Sequence, residues 1–116
     1  MDVNEVIRRY DTDGELRLFV RFEGTVQGVG FRWTCQDLAR RLGVSGWVHN
    51  EDDGSVTAEF QGTGHAIGLV LAGLREQFES ARRQYAFLRR LNFHVASCQL
   101  RVPREVPDDA AFEVRA

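Results

Sequence analysis

The sequence predicts an α+β layer fold, one antiparallel sheet with two helices on one face, and three observations predict it. First, apolar residues pass from alternation to helical spacing and back again, twice, which orders the elements as strand, helix, strand, strand, helix, strand. Second, Asp53-Gly54 stands between the two middle strands as a tight hairpin signal. Third, the alternation within the strands leaves polar residues on one side, as a sheet with one solvated face requires. The 116 residues suffice for one domain with a core and are too few for two.

Residues 1–14, MDVNEVIRRYDTDG, mix charges with isolated apolar side chains and read as a polar, frayed arm; the domain is assigned to 15–116. Leu16, Leu18, Val20 and Phe22 alternate with Arg17, Phe19, Arg21 and Glu23, the period of a strand covered on one face. From Phe31 the period changes. Phe31, Cys35, Leu38, Ala39 and Leu42 share a helix face that Gly43 terminates. Gly46 to Asn50 and Ser55 to Gln61 flank the hairpin turn, and Thr63-Gly64 precede a second helix carrying Ile67, Val70, Leu71, Leu74 and Phe78. No Gly or Pro occurs from Leu74 to Val102, and Phe78, Ala81, Tyr85 and Leu88 keep helical spacing. The second helix is therefore expected to be lengthened or followed by another turn. Phe93 to Val102 reads as a weaker strand, bounded by Pro103 and Pro107, and Phe112 to Val114 as a short last one. There is no internal repeat and no low-complexity segment.

A net charge of −2, with 43% hydrophobic and 28% charged residues, is ordinary for a globular protein and calls for neither a nucleic acid nor a membrane partner. The first residues lack the apolar core of a signal peptide, and no stretch is apolar enough to span a bilayer, so a cytoplasmic location is expected. Cys35 and Cys98 lie far apart without the clustered Cys/His spacing of a zinc site and read as buried free thiols. All basic residues are arginine, a compositional bias without functional content.

Function has to come from GTVQGVGFR, residues 24–32, where a strand runs into a helix. Successive backbone amides can converge there while the helix N-terminus adds partial positive charge, which makes an anion cradle. Gly28 and Gly30 permit positive φ and close approach, and Arg32 can close the cup with paired charged hydrogen bonds. On these grounds alone a phosphate cradle and a simple packing turn remain equally open. As a solvated first-turn residue, Arg32 would face the wrong end of the helix dipole.

The stretch VQGVGFR, followed by Ala39, Leu42-Gly43, Gly46-Trp47-Val48, Asn50 and Asp53-Gly54, resembles the signature of the acylphosphatase family in order and spacing. Agreement is densest from Gly24 to Gly62 and continues more weakly to Phe112-Glu113-Val114. The resemblance implies a ferredoxin-like βαββαβ enzyme that hydrolyses the carboxyl-phosphate bond of acyl phosphates without metal or cofactor. The family's phosphate-binding arginine falls on Arg32 and its water-orienting asparagine on Asn50. Its amide cradle falls on Thr25, Val26, Gln27, Gly28, Val29, Gly30 and Phe31, with Arg32 completing it. Inorganic phosphate or sulfate is then expected to compete with the acyl phosphate. The chemistry tolerates so sparse a site, because a carboxylate leaves without needing a proton and positioning with charge stabilisation suffices.

Two other readings are weighed. A non-catalytic domain binding a phosphorylated metabolite, of the carbamoyl phosphate type found in hydrogenase-maturation proteins, usually opens a much longer chain, whereas a free-standing domain is expected here. A nucleic-acid module is suggested by Arg82, Arg83, Arg89 and Arg90, but Glu76 and Glu79 sit beside them and the aromatic strand signature of RNA-binding sheets is absent. Nucleic acid is not expected as a partner. Family members usually close the second helix with a Gly-Pro turn, so residues 75–92 depart from the pattern. Asn50 also suits an ordinary turn, Gln27 fits loop scaffolding as well as ligand contact, and Trp47 reads as core. His49 reads as exposed, and His65 and His94 lack evident partners.

Overall fold

The computed structural model describes residues 1–107 and 110–115; Asp108, Asp109 and Ala116, within the segment assigned to the domain, lie outside it. In chain order the elements are α1 (Val3–Tyr10), β1 (Glu15–Gly24), α2 (Phe31–Arg41), β2 (Ser45–Asn50), β3 (Val56–Thr63), α3 (Gly64–Gln84), a 3-10 turn (Ala86–Leu88), β4 (Phe93–Arg101) and β5 (Glu113–Arg115). The sheet order is β4-β1-β3-β2-β5. β1 pairs antiparallel with both β3 and β4, β2 pairs antiparallel with β3, and β5 joins β2 in parallel. The first four strands make the split βαβ arrangement that the sequence predicts.

The alternation in β1 decides which side is covered. Leu18, Val20 and Phe22 are fully buried and join Val48, Val56, Ala58, Phe60 and Val95 from neighbouring strands in one core with the helices. Phe31, Cys35 and Ala39 of α2 and Ile67, Val70, Leu71, Leu74 and Phe78 of α3 supply the other layer. Each such large apolar side chain stabilises by about 1.5–3 kcal/mol relative to exposure. One cluster fixes the end of the glycine loop. Phe31 packs edge-on against Phe22 at 5.0 Å, Phe93 at 5.4 Å and Phe78 at 5.8 Å.

The N-terminal segment corrects the expectation of a frayed arm. Asp2 caps α1 by accepting from the Asn4 amide at 2.8 Å, and Val3, Val6, Ile7 and Tyr10 form one apolar face packed into the core. Val6 is 1% exposed. The chain then runs so close to the start of α3 that a Cβ on Gly64 would lie 1.9 Å from the Tyr10 carbonyl oxygen, and the Gly64 and His65 amides donate to Gly14 and Thr12. A side chain at 64 would separate the two segments.

The outer face of the sheet is not simply solvated. Arg17 donates to Glu59 Oε1 at 2.5 Å and to Gln61 Oε1 at 3.0 Å, and all three residues are buried. The chain leaving β4 supplies the cover. Gln61 exchanges hydrogen bonds with the Arg104 main chain, donating at 2.6 Å and accepting at 2.9 Å, so the chain after β4 crosses β1 to reach β3. α3 runs on to Gln84 before the 3-10 turn, so the segment is both lengthened and followed by a further turn.

Candidate active site

The loop between β1 and α2 is built by contacts at both ends. The Thr25 amide donates to Asn92 O at 2.8 Å and the Val26 amide to Gly24 O at 3.1 Å, while the Val26 side chain is buried. Gln27 reaches sideways, donating through Nε2 to Glu51 O at 2.7 Å and Ser55 O at 2.9 Å. Gly28 at φ 76° and Gly30 at φ 78° both take the left-handed conformation that glycine adopts without strain. Gly30 is the N-cap of α2 and offers no capping side chain. Among the described residues, no acceptor meets the backbone amides of Gln27 through Phe31. These donors gather at the N-terminus of an 11-residue helix, where the helix dipole favours an anion.

A cleft of about 140 Å³ opens there, lined by Val26, Gly28, Gly30, Phe31, Arg32, Trp33 and Asn50. Of the residues singled out from the sequence, the structure thus brings together Arg32, Asn50 and four loop positions. Thr25, Gln27 and Val29 do not line it: the Thr25 amide is engaged by Asn92, Gln27 ties the loop to the hairpin, and Val29 faces a second cleft. A larger cleft of about 470 Å³ between α1, α3 and β4 contains none of these groups.

Arg32 is the second residue of α2, where no acidic side chain balances it. It donates through Nη1 to the Arg115 carbonyl at 3.0 Å, leaving Nε and Nη2 without a partner among the described residues. β5 is held in place for that contact by Gln36, which donates to Phe112 O at 3.1 Å, and by the Arg115 guanidinium lying 4.8 Å from the Trp47 ring centroid. A half-buried cation at the positive end of a helix is an unfavourable placement unless an anion joins it.

Asn50 closes β2 opposite Val56. Its Oδ1 is buried and has no hydrogen-bond partner among the described residues. Such an atom costs about 1–3 kcal/mol unless something donates to it. The hairpin beyond it is fixed by Asp53, which accepts from the Ser55 amide and hydroxyl at 3.0 and 2.6 Å and pairs with Arg21. Those Ser55 hydrogen bonds, with the Arg21 charge, hold the Asp53 carboxyl below its ordinary range.

The remaining candidates lie elsewhere. His49 stands 4.0 Å from Glu51 Oε1, His65 bonds to Asp11 at 3.0 Å and His94 lies 3.7 Å from Glu23. Trp47 corrects its core reading: it is half-buried on the outer face, edge-on to Phe19 at 6.4 Å. Cys35 is buried and its thiol is pushed far up by burial, whereas Cys98 is only half-buried; both are free. Among the described residues, no three His, Cys, Asp or Glu side chains gather as a metal site. No described helix is long and apolar enough to cross a membrane. The sequence reading missed Trp33, 62% exposed at the rim of the cleft, although an aromatic directly after Arg32 was its signal. It also missed the Arg115 contact.

A split βαβ sheet whose first strand-to-helix turn carries Gly28 and Gly30 at positive φ and unengaged amides beside an arginine defines a small α+β protein of ferredoxin-like fold. The model of the acylphosphatase family matches residues 18–85, and the chain belongs to that family. A curated acylphosphatase of Rhizobium etli is 55% identical over 56 residues, a match covering 48% of this chain and 60% of that one. The acylphosphatase of Salinibacter ruber is 44% identical over 72 residues, covering 62% and 76%. Among solved structures, an acylphosphatase from Coxiella burnetii superposes with a TM-score of 0.62 at 25% identity, covering 87% of this chain and 93% of that one. The chain spans less than two thirds of the length of the first relatives it matches.

Proposed function

We propose that the protein hydrolyses acyl phosphates to a carboxylate and inorganic phosphate. The observation that carries this reading is the buried, unpartnered Asn50 Oδ1 in the same cleft as the unengaged loop amides and Arg32. The amides and the free edge of the guanidinium hold the phosphoryl oxygens, and Asn50 Oδ1 accepts from a water in line with the bond to the leaving carboxylate. Water oxygen bonds to phosphorus as the phosphorus–carboxylate oxygen bond breaks. The carboxylate departs with the bonding pair, and both water protons remain with the phosphate.

Inorganic phosphate and sulfate occupy the same donors in this scheme and therefore inhibit competitively. The free thiols of Cys35 and Cys98 suit a reducing compartment, and we place the protein in the cytoplasm. The test is phosphate release from acetyl phosphate by purified protein in excess chelator. Steady release supports the reading, and a folded sample that releases none overturns it.

A further inference from the structure

The departure at residues 75–92 has a structural consequence beside the loop. The last turns of α3, the 3-10 turn and Leu91 wall a second cleft of about 300 Å³ that shares Gly28 with the first. Val29, Thr34, Phe78, Ala81, Leu88 and Leu91 line it, and no charged side chain does. The wall is held against the loop from both sides. Arg82 donates to Leu91 O at 3.0 Å, the Leu91 amide donates to Leu88 O at 2.8 Å, and Asn92 O accepts from Thr25 at the start of the loop. One segment therefore shapes the cleft and anchors the loop.

An acyl phosphate is anionic at one end and, when its acyl chain is long, apolar at the other. With its phosphoryl group on the amides of the first cleft, a substrate reaches the second by passing Gly28, where no side chain intervenes. We propose that the second cleft receives an apolar acyl chain of several carbons, which makes the lengthened end of α3 a specificity-determining element. This rests on the hydrolase reading above. Val29 then contacts the acyl chain, which is why its side chain points away from the phosphate cleft while remaining 39% exposed.

The experiment compares kcat/KM for hexanoyl phosphate and acetyl phosphate on the full chain. Burial of several additional methylenes is expected to favour hexanoyl phosphate by at least about tenfold. Ala81→Phe, which fills the cleft, should bring that ratio near one by lowering kcat/KM far more for hexanoyl phosphate than for acetyl phosphate. Leu88→Ser, at a half-buried surface position, should lower the ratio severalfold and serves if Ala81→Phe does not fold. Equal kcat/KM for the two substrates in the parent chain, or variants that slow both alike, overturns the acyl cleft and leaves the hydrolase reading standing. Hydrolysis of neither substrate by folded protein removes both.

Discussion

Gln27 Nε2 and the Glu51 carbonyl are joined by a 2.7 Å hydrogen bond, and Glu51 directly follows Asn50. The loop that offers the amides and the strand end that offers the buried oxygen are therefore tied together by one side chain. Its second hydrogen bond, to Ser55 O, spans the base of the hairpin.

Gln27→Ala should consequently disturb geometry more than stability. Turnover is expected to fall about tenfold, in line with a misplaced reacting group, with the unfolding midpoint changed by only a few degrees. Gln27→Glu should be at least as damaging, because a carboxylate cannot donate to either carbonyl. Turnover and thermal unfolding on one preparation check this, and unchanged turnover in Gln27→Ala would show that the tie has no bearing on the site.

Arg32→Lys should weaken inhibition by inorganic phosphate by about tenfold or more. Lysine preserves the charge but loses the planar fork, which bonds Arg115 O through Nη1 and keeps Nε and Nη2 without a partner among the described residues. Phosphate inhibition measured on the folded variant decides the point, and an unaltered inhibition constant would place Arg32 outside the anion site.

The docking of α1 makes a separate prediction about stability. Val6→Asp puts an unpaired carboxylate where the parent side chain is 1% exposed, and a loss of about 3 kcal/mol is expected. Phosphate inhibition of the molecules that remain folded should not change, since α1 lines none of the anion cleft. Denaturant unfolding with an inhibition assay below the transition measures both quantities.

Burial raises the pKa of Cys35 and, less completely, of Cys98. The thiolate is the reactive form, so a raised pKa leaves little of it near neutrality and the fraction grows only as pH rises. Iodoacetamide at pH 8 should label Cys98 slowly and Cys35 only after unfolding, without loss of turnover. Mass spectrometry of the labelled protein checks the order, and rapid labelling of native Cys35 would contradict its packing.

Much of this architecture was legible in the sequence because local rules and the global fold agree. The change of period at Phe31, the glycine loop just before it and the hairpin at Asp53-Gly54 each appear where they were read, and Arg32 and Asn50 do line one cleft. α1 was legible and was overlooked: Asp2 is a sound N-cap, and Val3, Val6, Ile7 and Tyr10 keep helical spacing, but a charged opposite face gave the segment the look of a tail. The buried group of Arg17, Glu59 and Gln61 could not be read in the same way. Its residues alternate like those of any solvated face, and their cover comes from Arg104, more than forty positions away from Gln61. The hold of Arg115 on Arg32 spans 83 positions and likewise leaves no local pattern.

The decisive measurement concerns Asn50, whose buried oxygen lacks a partner among the described residues. In Asn50→Ala the loop amides and Arg32 remain, so phosphate inhibition should be nearly intact while turnover falls by about 10²–10³, the scale of one lost transition-state hydrogen bond. Turnover, phosphate inhibition and thermal unfolding must be taken on the same preparation, because partial unfolding would imitate a catalytic loss. Intact phosphate binding with lost turnover would assign Asn50 to the attacking water. Near-normal turnover in folded Asn50→Ala would contradict that role and leave Asn50 as a residue of the turn alone.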